Sequence, residues 1–139
     1  MTPPPEPALA DLQGHGQTIL VIDDDREQRA IAVSILEALN YRATAVVSGE
    51  AALEFLKTQA ADLLLLDMIM PGGLDGLETY RTVLKTHPHQ KALVVSGFAE
   101  TERVQETQRL GAAGFMSKPY NVETMARILK EVLHGPAGQ

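Results

Sequence analysis

The chain has no cysteine and no tryptophan, and three Tyr and three Phe supply all its large aromatic rings. Without cysteine there are no disulfides, no thiolate metal sites and no cysteine nucleophile, and the chain suits a reducing compartment. Positive charge is also scarce: 12 Lys and Arg stand against 18 Asp and Glu, for a net charge of −6. Such a surface is not built to neutralise nucleic-acid phosphates, so direct DNA or RNA binding is not expected. No apolar run approaches the roughly 20 residues of a membrane span. Met1 leads into Thr2-Pro3-Pro4-Pro5, with neither the basic start nor the apolar stretch of a secretory signal. These absences together lead us to expect a cytoplasmic protein with no membrane contact of its own.

What is present is ordinary globular material. At 139 residues, 45% hydrophobic and 22% charged, the chain has the size and composition of one domain with a real core. Four of its eight prolines lie in the first seven residues, followed by Gly14-His15-Gly16, which reads as an extended linker over residues 1–17. Gly135-Pro136-Ala137-Gly138 cannot continue a helix, so residues 135–139 read as a tail and residues 18–134 as the folded body.

Within that body, short apolar runs alternate with longer stretches of helical period, the pattern of βα units and a parallel sheet. Strands are predicted at Ile19–Asp23, Ala43–Val47, Leu63–Asp67, Ala92–Ser96 and Ala113–Ser117. Near-continuous hydrophobicity implies burial on both faces, least so for the second. Helices are predicted at Glu27–Leu39, Glu50–Thr58, Leu77–Thr86, Glu102–Leu110 and Val122–Leu133. Asp25, Ser48, Asp75 or Gly76, Thr101 and Asn121 lie at or beside their starts, where short polar side chains cap free N–H groups.

The strand ends carry the chemistry. The first stops at Asp23-Asp24-Asp25, the third at Asp67, the fourth at Ser96 and the fifth at Ser117-Lys118-Pro119. Open parallel sheets bind ligands outside the carboxyl ends of their strands, where the strand order reverses. For an order of 2-1-3-4-5 that point lies between strands 1 and 3, which brings Asp23 and Asp24 beside Asp67. Three carboxylates gathered there repel one another unless a cation or shared protons compensate them. Mg²⁺ fits, because it takes oxygen ligands and keeps several waters. Asp24 and Asp67 are the expected direct ligands, with Asp23 acting through water and the Ile69 carbonyl as a neutral donor. A carboxylate is also a nucleophile toward phosphorus, and Asp67 is the expected phosphoacceptor. Lys118 and the Ser96 hydroxyl, from two other strand ends, are candidates to hold phosphoryl oxygens. Lys118-Pro119 is also a candidate cis peptide that would aim the ammonium at the site.

These segments, Ile19-Leu20-Val21-Ile22-Asp23-Asp24-Asp25, Leu64-Leu65-Leu66-Asp67-Met68-Ile69-Met70-Pro71, Val94-Val95-Ser96-Gly97 and Phe115-Met116-Ser117-Lys118-Pro119, resemble the response-regulator receiver family. The resemblance covers nearly all of residues 18–134. It implies a flavodoxin-like fold: a five-stranded parallel α/β sheet, order 2-1-3-4-5, with five flanking helices. It further implies phosphorylation of Asp67 from a histidine kinase or histidine phosphotransfer domain, self-promoted phosphorylation and dephosphorylation, and signalling through the face of helix 4, strand 5 and helix 5. Phe115 falls where receivers carry an aromatic switch residue; its residue-level reading is core packing. A homodimer is left open. One departure stands out: Gly72-Gly73-Leu74 separate Pro71 from Asp75-Gly76, one residue more than is usual in the family. That longer loop, with Leu77-Glu78-Thr79-Tyr80 and Ser96-Gly97-Phe98-Ala99-Glu100-Thr101-Glu102-Arg103, is similar to receivers at the C-terminal end of hybrid sensor histidine kinases.

Plainer readings compete at each position. Asp25 alone reads as a helix cap, Ser96 alone as a turn residue and Lys118 alone as a solvated lysine. His87-Pro88-His89 lacks a third ligand and reads as an exposed loop rather than a zinc site. Two other functions are open. A phosphatase of the haloacid dehalogenase type would use Asp23 as nucleophile and Asp25 as acid/base. A receiver that no longer turns over phosphate would serve only as an interaction module.

Overall fold

A computed structural model of the chain describes residues 12–97 and 102–134. The five apolar runs form strands β1 (Thr18–Ile22), β2 (Arg42–Val46), β3 (Leu63–Asp67), β4 (Ala92–Ser96) and β5 (Gly114–Ser117). Between and after them come helices α1 (Arg26–Ala38), α2 (Gly49–Leu56), α3 (Gly76–Thr86), α4 (Glu102–Arg109) and α5 (Val122–His134). The strands pair in parallel in the order β2-β1-β3-β4-β5, the order expected from the sequence.

Side chains alternate across a strand, so each strand serves two cores. Ile19, Val21, Leu63, Leu65, Leu93, Val95 and Met116 turn to one face, under Ala32, Leu36 and Leu39 of α1 and Met125, Ala126 and Leu129 of α5. Leu20, Ile22, Leu64, Leu66 and Ala92 turn to the other, under α2 and α3. Val94 on that second face joins Met68, Leu77 and Val104 of α4. Each fully buried side chain of this size contributes roughly 1.5–3 kcal/mol relative to exposure. β2 pairs on one side only and is half open to solvent, as its weaker hydrophobicity implied.

Polar residues stop and start the helices where the sequence placed them. Asp25 Oδ1 accepts from the Glu27 and Gln28 N–H groups, Ser48 Oγ from Ala51 N–H, and Asn121 Oδ1 from Thr124 N–H. Asp75 and Glu78 form a reciprocal capping box at α3. Thr101, read as the α4 cap, lies outside the described residues, as do 1–11 of the leader and the tail 135–139.

Residues 12–17, counted with the linker on sequence grounds, make contacts with the body. Gly14 N–H donates to the Leu39 carbonyl at 2.7 Å and Gly16 N–H to the Asn40 carbonyl at 2.9 Å. Lys130 Nζ of α5 donates to the Gln13 carbonyl at 3.1 Å, and Leu12 packs against the α1/α5 core. Among the described residues, contact with the body therefore extends back to Leu12.

Candidate functional site

Each strand delivers its last residues to the same edge. Asp23 follows β1, and its N–H continues the ladder to the Val46 carbonyl of β2. Asp67 closes β3 opposite Val95, and Ser96 closes β4 opposite Ser117, one residue before Lys118. Lys118 N–H donates to the Ser96 carbonyl at 2.8 Å, and the Lys118-Pro119 peptide is cis.

Asp23 and Asp67 are 5% and 6% exposed, while Asp24 is open to solvent. Carboxylate oxygens of all three lie within 4.8 Å of one another, the one such grouping of potential metal ligands among the described residues. Lys118 Nζ reaches between them, donating to Asp23 Oδ2 at 3.1 Å and standing 3.6 Å from Asp67 Oδ1. Asp23 Oδ1 accepts from Asp25 N–H at 2.9 Å, and Asp67 Oδ1 from Ile69 N–H at 3.4 Å.

Burial, and then the neighbouring Asp23 carboxylate, raise the Asp67 carboxyl from its usual value to about 6; Lys118 and the Ile69 N–H pull the other way. Burial likewise lifts the Tyr120 phenol to about 12, with Asp23 and Asp67 adding to it. One lysine thus leaves the three acids short of positive charge. The donor set is hard oxygen, partly dehydrated and electron-rich, which fits a divalent cation such as Mg²⁺.

The remaining sequence candidates flank this cluster. Ile69, two residues past the end of β3, is 48% exposed. Ser96 is 1% exposed. Phe115, paired with Val94, is half-buried and packs against the Met68, Leu77, Val94 and Val104 cluster beneath α4. In the β3–α3 loop, Leu74 N–H donates to Glu50 Oε2 at 3.2 Å. A Cβ on Gly73 would lie 2.8 Å from that carboxylate, and one on Gly76 would lie 2.7 Å from the Asp67 carbonyl, so α3 starts hard against the end of β3.

Asp25 does not share in the cluster chemistry, because its carboxylate is taken up capping α1. That leaves the Asp23/Asp25 pair of a dehalogenase-type phosphatase without its acid/base. His87 closes α3, with Nδ1 2.8 Å from Thr86 Oγ1, and lines with His89 a cavity of about 490 Å³ remote from the acids.

Four residues near the site were given no role from the sequence. Arg29 Nη1 donates to the Asp23 carbonyl at 2.8 Å, Tyr120 faces Asp23 and Asp67, Glu50 holds the β3–α3 loop, and Arg103 of α4 pairs with Asp75. Tyr120 alone was findable, as the next residue after Lys118-Pro119.

A doubly wound parallel sheet with an acidic, lysine-braced, oxygen-only site at its switch point defines a phosphoryl-accepting α/β domain. The chain belongs to the response regulator receiver domain family, which it matches over residues 19–130, and is a phosphoacceptor domain of two-component systems. It is 32% identical over 125 residues to sensor kinase CckA of Brucella abortus, covering 88% of this chain and 13% of that protein. It is 26% identical over 117 residues to sporulation initiation phosphotransferase F of Bacillus subtilis, covering 84% of this chain and 94% of that one. Among solved structures, chemotaxis protein CheY4 of Vibrio cholerae superposes with a TM-score of 0.79 at 26% identity, over 85% of this chain and 99% of that one. The chain thus corresponds to nearly all of one relative and to a small part of another. No helix among the described residues is long and apolar enough to cross a membrane.

Proposed function

We propose that Asp67 is the phosphoacceptor, taking its phosphoryl group from a phosphohistidine of a histidine kinase or histidine phosphotransfer domain in the cytoplasm. The observation that carries this reading is the convergence of Asp23, Asp24 and Lys118 on the Asp67 carboxylate. An Asp67 carboxylate oxygen attacks phosphorus and the P–N bond to the donor imidazole breaks, the ring having taken a proton from solvent on its other nitrogen so that it leaves as neutral imidazole. Asp24, Asp67 and the Ile69 carbonyl would hold Mg²⁺, with Asp23 acting through water. When bound, the ion supplies charge compensation for the phosphoryl oxygens. Lys118 pairs with a second phosphoryl oxygen and the Ser96 hydroxyl donates to a third. Phe115, between β4 and α4, passes the change to the α4–β5–α5 face. Two relatives named as a sensor kinase and a phosphotransferase support a phosphorelay setting, and the longer β3–α3 loop favours a hybrid-kinase parent.

Intact-mass analysis after incubation with a small phosphodonor and Mg²⁺ tests the assignment. The expected result is one phosphoryl group on the wild type and none on Asp67→Asn. A label that persists in Asp67→Asn and vanishes in Asp23→Asn would overturn it.

A further inference from the structure

The Asp23–Asp24 turn has to present two adjacent acids in a fixed direction, yet it lies beyond the last residue of β1. Asp23 itself is tied down: its N–H bonds the Val46 carbonyl at 3.3 Å, Oδ1 takes Asp25 N–H and Oδ2 takes Lys118. Asp24 is exposed, and the peptide unit that joins it to Asp23 is what ties it to the ordered strand end. That unit is planar, so holding its carbonyl fixes the position of the Asp24 Cα and the line of its N–Cα bond, the base from which the side chain departs. The group that holds it is the guanidinium of Arg29, which donates from Nη1 at 2.8 Å. Arg29 is itself anchored: it sits in the first turns of α1, and its N–H donates to the Asp25 carbonyl at 3.0 Å while the Asp25 side chain caps the same helix. Helix, cap and guanidinium therefore close a ring around the acidic turn.

We infer that Arg29 is a positioning residue for the metal-handling acids, orienting the Asp23–Asp24 peptide so that Asp24 converges with Asp67. This rests on the reading of the cluster as an Mg²⁺ site. It extends that reading to a residue that touches neither the ion nor the phosphoryl group.

The sign of the effect separates positioning from charge. A nearby cation repels Mg²⁺, so removing the Arg29 charge alone would tighten binding. Losing the orientation of an outer partner weakens metal affinity, typically by about tenfold or more. Mg²⁺ titration of the full chain by calorimetry, alongside thermal unfolding in chelator, gives both readouts. Arg29→Met keeps the apolar stem and helix propensity but removes the donor. It should bind Mg²⁺ about 3–10-fold more weakly while unfolding within about 2 °C of the wild type. Arg29→Lys, which keeps charge and a single donor, should fall between the two. Binding by Arg29→Met that is unchanged or tighter, or a loss accompanied by a general fall in melting temperature, would overturn the inference. If the wild type binds no Mg²⁺, the metal reading fails and this role with it; if wild type and Met variant bind alike, only the Arg29 role fails.

Discussion

Asp67 is held in conflict with its surroundings. Its carboxyl is raised from 3.8 to about 6, first by burial and then by Asp23, so the folded metal-free protein retains a proton that the unfolded chain has lost. A folded pKa above the unfolded one means that stability falls as pH rises through that window, and that the penalty is absent below it. Metal-free Asp67→Asn should therefore melt about 3 °C above the wild type at pH 7, with the gap closing toward pH 4. Differential scanning calorimetry in chelator across that range checks it. A gap independent of pH would assign the effect to packing instead. Beside Asp67, the exposed Ile69 offers no polar atom to orient an attacking water. The phosphorylated form should hydrolyse slowly, and Ile69→Asn should speed loss of the label several-fold in a time course of phosphoprotein mass. Phe98, read as a second apolar guard, lies outside the described residues.

At the scale of the element, the start of α3 is where the β3–α3 loop is anchored. Asp75 caps the helix, completes a capping box with Glu78 and pairs with Arg103 at the start of α4. Asp75→Ala removes the side-chain cap and the Arg103 pair, leaves only the backbone half of the capping box, and should lower stability by about 1–2 kcal/mol in a denaturant titration. Arg103→Ala, which loses only a half-exposed ion pair, should change it by well under 1 kcal/mol. Element boundaries were legible to within a residue or two, because caps and periodicity are local signals. The anchoring of the loop by Glu50 was not, since Glu50 and Leu74 are 24 positions apart and meet only once α2 and α3 pack side by side.

For the molecule as a whole, the entering chain is part of the structure. Residues 12–17 cross the end of α1 and reach α5, and Gly14 lies so close to the Tyr41 ring that a Cβ would fall 2.3 Å from it. Gly14→Ala should force the ring or the segment aside and lower the melting temperature by several degrees, with faster amide exchange at Gly14 and Gly16. An unchanged melting temperature would show that the added methyl is accommodated without displacing the ring or the segment. Its composition reads as linker because Pro and Gly mark loss of helix and strand, and they carry no information about whether a loop is docked.

The sequence by itself determined the class of fold, its five strands and five helices, and which residue types stand at the strand ends. Apolar runs buried on both faces demand a parallel sheet, and acids, a serine and a lysine at strand ends demand a common edge. What only the tertiary structure decided was which atoms meet. Lys118 bonds Asp23 across 95 positions of chain, Asp25 is withdrawn from the cluster by capping α1, and Arg29 turns back on the Asp23 carbonyl. Those outcomes depend on distances of a few ångströms between side chains brought together by packing, and no local pattern of residues encodes them.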